Sequence, residues 1–222
     1  MSSSYFSQLG GDIDGEAAYD HSGFAVSLSS DGSVVAIGAI FNDGNGNDSG
    51  HVRIYQNISG TWTQIGDDID GEAANDYSGQ SVSLSSDGSV VAIGADYNDG
   101  NGTHSGHVRI YQNVSGTWTQ IGDDIDGEAT GDFSGSSVSL SSDGSVVAIG
   151  AYGNDGNGDG SGHTRIYQYS NGFSNPFDIS SHQIGTSYHL EYIRDYDGNL
   201  HANTGSVSDE LKNSYKYQGR LD

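Results

Sequence analysis

A unit of 56 residues recurs three times along this chain, and a repeat of that length fixes the class of architecture before any single residue is weighed. Gln8, Gln64 and Gln120 open three matching segments, QLGGDIDGEAAYDHSG, QIGDDIDGEAANDYSG and QIGDDIDGEATGDFSG. The fifteen residues SGTWTQIGDDIDGEA stand unchanged at 59–73 and again at 115–129. Repeats at about 8–63, 64–119 and 120–182 therefore fill a region spanning 5–185, followed by a tail at 186–222.

Within the second copy the hydrophobic pattern divides into four short strands. SVSLS (81–85) alternates Val82 and Leu84 with serines, the period of a half-buried strand. VVAIGA (90–95) is apolar on both faces, as a strand buried between neighbours must be, and Ser86-Asp87-Gly88-Ser89 makes a tight turn between the two. HVRIYQ (107–112) alternates again after the Gly/Asn/Asp loop 96–106, and TWTQIG (117–122) closes the unit. Four antiparallel strands per repeat predict an all-β fold, a partial or open β-propeller of three four-stranded blades. A stack of hairpins or a β-solenoid is the rival, with rungs usually shorter than 56 residues. Tyr5–Gly10 aligns with Thr61–Gly66, so a displaced fourth strand is expected ahead of the first unit. In the tail, YHLEYIRDYDGNLHA reads as two strands around Asp197-Gly198 and SVSDELKNSYKY as a short helix, giving an α+β tail. That tail is either an atypical fourth blade or the start of a second module.

Two motifs recur in every unit and carry a family resemblance. Ser-Gly follows His21, Tyr77 and Phe133, and Ile-Gly-Ala stands at 37–39, 93–95 and 149–151. The segment DYSGQSVSLSSDGSVVAIGA and its counterparts resemble the FG-GAP repeat, the blade of integrin-α-type propellers. Ser-Gly takes the place of Phe-Gly, and Ile-Gly-Ala that of Gly-Ala-Pro. The resemblance covers about residues 5–170 and implies an extracellular or cell-surface module for adhesion or ligand binding, often with bound Ca²⁺. It also implies a calcium loop between the two motifs. Here that connection is Ser-Ser-Asp-Gly-Ser with one carboxylate (Asp31, Asp87 or Asp143), far short of the six to eight oxygens Ca²⁺ takes, so the family's site does not carry over.

The charge narrows the partners. Thirty acids against seven basic residues leave a formal charge of −23, which repels phosphate backbones and anionic lipid, so nucleic acid is excluded as a partner. No stretch is apolar enough for membrane insertion. Cations or basic protein faces are complementary; charge suited to a salty medium is the plainer alternative. There is no cysteine, and MSSSYFSQLG has no signal-peptide pattern, so the chain is expected to belong to a longer chain or assembly.

The acidic linkers are the candidate cation sites: Asp12, Asp14 and Glu16, then Asp68, Asp70 and Glu72, then Asp124, Asp126 and Glu128. Their alternate spacing projects three carboxylates near a flexible Gly, with Ca²⁺ the candidate ion, although the EF-hand spacing is missing. Metal-free turns are the plainer reading. Arg53, Arg109 and Arg165 are the only basic residues before 170, one per unit among 23 acids. Each is expected to hold a structural bond to a carboxylate, with Asp20, Asp76 and Asp132 the candidates. His51, His107 and His163 also recur; they either ligate a metal around a shared axis or simply begin a strand. Repetition of the same polar groups in every blade offers no nucleophile–base pair, so no enzyme is expected. The reading is a non-catalytic binding or adhesion module, partner a protein or glycan. A spacer repeat of a large surface protein, or an accessory domain of a secreted polysaccharide-degrading enzyme, are the alternatives.

Overall fold

The computed structural model describes residues 6–169, 192–194 and 200–202. Residues 1–169 and 170–222 form two separate compact units. In the first, the VVAIGA runs become the middle strands of three antiparallel sheets, because β-branched residues on both faces suit a position covered from both sides.

The first sheet contains β1 (Ser22–Leu28), β2 (Val34–Ala39), β3 (His51–Ile58) and β4 (Thr61–Gln64), in that order, with the short β5 (Ile69–Asp70) also on β3. The second repeats it with β6 (Ser81–Leu84), β7 (Val90–Ala95), β8 (His107–Val114), β9 (Thr117–Gln120) and β10 (Ile125–Asp126). The third has β11 (Ser134–Leu140), β12 (Val146–Ala151) and β13 (His163–Gln168). Register is conserved between copies: Ile37 faces Arg53, Ile93 faces Arg109 and Ile149 faces Arg165. The architecture is all-β and propeller-like, with no helix among the described residues.

In the tail, β14 (Tyr192–Arg194) pairs antiparallel with β15 (Leu200–Ala202), as the hairpin around Asp197-Gly198 predicts. The helix expected from Ser206 onward lies outside the described residues. Phe6–Gly10 is not a strand. In the two complete sheets the fourth strand comes from the sheet's own hairpin, β3 with β4 and β8 with β9.

Successive sheets stack face to face. Ala36, Val52, Ile54, Leu84, Val91 and Ile93 form the core between the first two, and Ala92, Val108, Val147 and Ile149 that between the second and third. Polar groups lock the register: the Leu84 amide donates to Ser27 Oγ at 3.0 Å and the Leu140 amide to Ser83 Oγ at 2.9 Å. The turns join as well, Ser30 to Ser86 and Ser86 to Ser142, each through a 2.8 Å backbone hydrogen bond.

The two ends of the stack lack that cover. Phe24, Val26 and Leu28 on β1 are 50–64% exposed, whereas the equivalent Leu84 is 7% exposed. β12 alternates half-buried with buried positions where β2 and β7 are buried throughout. Val82→Ala should therefore cost about 1 kcal/mol, and Val26→Ala should stay within about 0.5 kcal/mol of the parent in urea melts. Equal losses at both positions would mean that the β1 face is covered in solution.

Candidate functional site

The first two linkers are each pinned by an indole. Trp62 Nε1 donates to the Leu9 carbonyl at 2.9 Å, and Trp118 Nε1 to the Ile65 carbonyl at 2.8 Å. After β4 the chain leaves the ladder at Gly66–Asp68 and rejoins β3 as β5, with Tyr55 opposite Gln64 and Val52 opposite Ile69. That bulge holds two extra residues, and bulges re-aim side chains. Here the re-aimed side chain is Asp68: Gln64 Nε2 holds its Oδ1 at 2.6 Å, and its Oδ2 stands 3.6 Å from His51 Nδ1. Gln120, Asp124 and His107 repeat the arrangement, at 2.6 and 3.9 Å.

The linker ahead of the sheet brings the other carboxylate. Glu16 Oε2 stands 3.9 Å from His51 Nδ1, and its Oε1 stands 3.7 Å from an Arg53 terminal nitrogen. Glu72 relates to His107 and Arg109 in the same way, both at 3.7 Å. In the third unit Glu128 faces His163 and Arg165 at 3.6 and 3.9 Å. The arginines are fixed from behind. Arg53 donates to the Asp14 carbonyl at 2.7 Å, Arg109 to that of Asp70 at 2.6 Å, and Arg165 to that of Asp126. Each guanidinium also lies over a Tyr ring of its own strand, Tyr55, Tyr111 or Tyr167, at 5.4–5.6 Å.

Two expectations are corrected by this geometry. The acids of one linker do not meet at one point. Asp12 accepts from Gln8, Asp14 contributes its carbonyl to Arg53, and Asp70 Oδ1 lies over Gly44. Carboxylates converge instead from consecutive linkers, Glu16 with Asp68 and Glu72 with Asp124, on the histidine between them. In the third unit the grouping is Glu128, Asp132 and His163. The second correction concerns the arginines, which do not pair with Asp20, Asp76 or Asp132. Those aspartates are buried and fasten the linker turn. Asp76 accepts from the Ala73 amide and Asn98 Nδ2, both at 3.0 Å, and Asp20 with Asn42 and Asp132 with Asn154 do likewise at 3.1 Å. A neutral amide serves there because nearby backbone N–H groups already satisfy the carboxylate.

Burial pushes the His51 and His107 imidazoles below their ordinary range, against the pull of Asp68 and Asp124. Both are therefore neutral at pH 7 and present a lone pair. Burial also pushes the Glu72 carboxyl up, with Arg109 opposing.

The hairpin turn that bears calcium in the resembled family is closed to it here. Asp31 Oδ1 accepts from Ser29 Oγ, Ser33 Oγ and the Ser33 amide at 2.7–2.9 Å, which lowers its pKa to about 2. Asp143 is held in the same way by Ser145 and Ser141. These residues do not fit a calcium ion: the one carboxylate in each turn is spent on the turn itself.

A second feature was not legible in advance. His21, Phe41, Tyr77, Tyr97, Phe133 and Tyr152 form an unbroken row of rings across the three sheets, with centroids 4.8–5.4 Å apart along it. His104 packs beside Tyr97 at 4.5 Å. The cleft along the row is lined by Glu72, Asp76, Tyr77, Tyr97, Asp99 and His104.

The paired glycines of the repeat join one sheet to the next. Gly79 (φ +91°) packs against Gly38 of the preceding sheet, and Gly135 (φ +88°) against Gly94, so the Ser-Gly element of each unit seats directly on the Ile-Gly-Ala element before it. Residues 13–55 and 69–111 match the family model of the FG-GAP repeat. The chain carries FG-GAP repeats. No curated protein matches it. Among solved structures, the hydrazine synthase of Kuenenia stuttgartiensis is similar at 15% identity and a TM-score of 0.43, over 71% of this chain and 36% of that one. The periplasmic gluconolactonase PpgL of Pseudomonas aeruginosa is similar at 17% identity and a TM-score of 0.43, over 65% and 39%. The FG-GAP chain thus spans less than two fifths of the length of either.

Proposed function

We propose that residues 6–169 are three blades of an open propeller arc and that the chain is a non-catalytic binding module, working outside the cell, which holds cationic groups of a partner on its aromatic row. The observation that carries this reading is the row itself, continuous over three blades and rimmed by Glu72 and Asp99. Ring faces and carboxylates together attract ammonium and guanidinium groups, each exposed contact contributing about 0.5–1 kcal/mol. A charge of −23 steers such ligands in and makes binding sensitive to salt. FG-GAP repeats support the extracellular placement. No described helix is long and apolar enough to cross a membrane. The same polar groups recur from one blade to the next instead of converging once on a single centre, which supports the non-catalytic reading.

The test is a titration with a lysine-rich peptide and, separately, a neutral oligosaccharide. The peptide should bind, weaken as salt rises, and bind about five- to thirtyfold more weakly to Y77A/Y97A, the loss of two ring contacts. An oligosaccharide bound in preference, with no salt dependence, would replace the cationic partner by a glycan.

A further inference from the structure

We propose that the cluster of Glu16, His51 and Asp68, and its copy of Glu72, His107 and Asp124, each bind one divalent transition-metal ion of the zinc type. The spacing is the first argument. A direct hydrogen bond between imidazole and carboxylate spans about 2.7–3.2 Å. Here Nδ1 stands 3.6–3.9 Å from both carboxylates in both copies. Ligand atoms about 2.0–2.1 Å from a tetrahedral ion lie about 3.3–3.5 Å from one another. Nδ1 is thus too far from either carboxylate to bond to it, and within about half an ångström of the separation a shared ion imposes.

The second argument is the imidazole. His51 is 1% exposed, and its Nδ1 is buried with no hydrogen-bond partner while facing two carboxylates; His107 is equally buried, and there the nitrogen without a partner is Nε2, with Nδ1 facing the carboxylates. A buried polar atom left unpaired destabilises the fold, and an ion in the cluster would offset that cost.

The third is orientation. Each carboxylate is held by one oxygen and offers the other. Arg53 lies against Oε1 of Glu16 and leaves Oε2 towards His51, while Gln64 binds Oδ1 of Asp68 and leaves Oδ2. Arg109 and Gln120 do the same for Glu72 and Asp124. Partners that fix ligands from behind in this manner tune metal sites. Nearby arginine does not forbid the ion, because it takes the carboxylate oxygen pointing away from the cluster. One imidazole with two carboxylates suits zinc, with water as the fourth ligand, and is far from the oxygen shell of Ca²⁺. These ligands differ from the rings of the proposed binding face, although Glu72 also lines its cleft.

The full chain, stripped of metal with a chelator and desalted, is titrated with Zn²⁺ by calorimetry at physiological ionic strength, with excess Mg²⁺ to occupy loose surface carboxylates. Co²⁺ replaces Zn²⁺ in a parallel optical titration, where tetrahedral coordination gives an intense visible band. The variants are D68N/D124N, at side chains 28–30% exposed, and D67N/D123N, which removes the same charge from the neighbouring residues of the same bulges. The parent and D67N/D123N should take up two tight equivalents and show the cobalt band. D68N/D124N should lose both equivalents while keeping the parent's circular dichroism. Absence of tight uptake by the parent, or full uptake by D68N/D124N, overturns the proposal. Peptide binding to the aromatic row is read separately, so failure of either reading leaves the other standing.

Discussion

Gly94→Ala is expected to break the joint between the second and third blades, at a cost above about 3 kcal/mol in urea unfolding. A methyl group on Gly94 would overlap the Gly135 carbonyl oxygen and Ser81 Oγ. Neither can retreat cheaply. Gly135 is itself held at φ +88° against Gly94 Cα and the Val108 side chain, and Ser81 Oγ donates to the Gly135 carbonyl at 2.7 Å. The chain provides its own control. Gly150 occupies the same place in the third blade, but the nearest atoms to a methyl there belong to Ser137, whose hydroxyl can rotate. Gly150→Ala should therefore cost about 1 kcal/mol or less. If Gly94→Ala melts within about 0.5 kcal/mol of the parent, the stacking of one blade on the next is not as described.

The same glycines show how far the sequence could be read. Alternation at 81–85 and the apolar VVAIGA runs were enough for the strands of an all-β chain, because period and burial are local properties. Ser-Gly and Ile-Gly-Ala were visible as motifs, yet not as partners. Gly38 meets Gly79, and Gly94 meets Gly135, only once neighbouring blades are stacked. Partner choice among carboxylates was harder still. Arg109 had Asp70, Glu72 and Asp76 in one linker, and the linker's path decides among them: it offers the Asp70 carbonyl and the Glu72 carboxylate and turns Asp76 towards Asn98. His51 draws its neighbours from the linkers on both sides of its sheet, a pairing that no search within one acidic segment could expose. The aromatic row escaped because it breaks the period. His21, Tyr77 and Phe133 are equivalent, as are Phe41 and Tyr97, but the next position is Gly153 and Tyr152 takes its place in the row.

Broken periodicity also marks the residue whose replacement should stabilise the fold most. Ile40, Asp96 and Tyr152 are equivalent positions; Ile40 is 4% and Asp96 1% exposed. Asp96 Oδ1 is buried and accepts no hydrogen bond among the described residues, and burial pushes its pKa from 3.8 to about 6. A folded-state value above the unfolded one means that the folded chain holds the proton longer, so stability falls as pH rises from about 4 to about 6 and stays low above that. The shift corresponds to about 2–3 kcal/mol. Asp96→Asn, which keeps the shape and removes the charge, should raise stability at pH 7 by about 2 kcal/mol and by less than about 1 kcal/mol at pH 4. Asp96→Ile should gain at least as much, since the first blade already accommodates Ile40. The carboxylate lies at the foot of the aromatic row: it precedes Tyr97 and, after burial, helps to raise the pKa of the Tyr77 and Tyr152 hydroxyls. Its unpaired charge is what a cationic ligand on that row would neutralise. Under the proposed function, Asp96→Asn should therefore strengthen the fold and weaken lysine-peptide binding at once, so that stability and affinity move in opposite directions. A variant less stable than the parent at pH 7 would show that Asp96 is paired in solution, and a more stable variant with unchanged peptide affinity would separate this charge from the binding face.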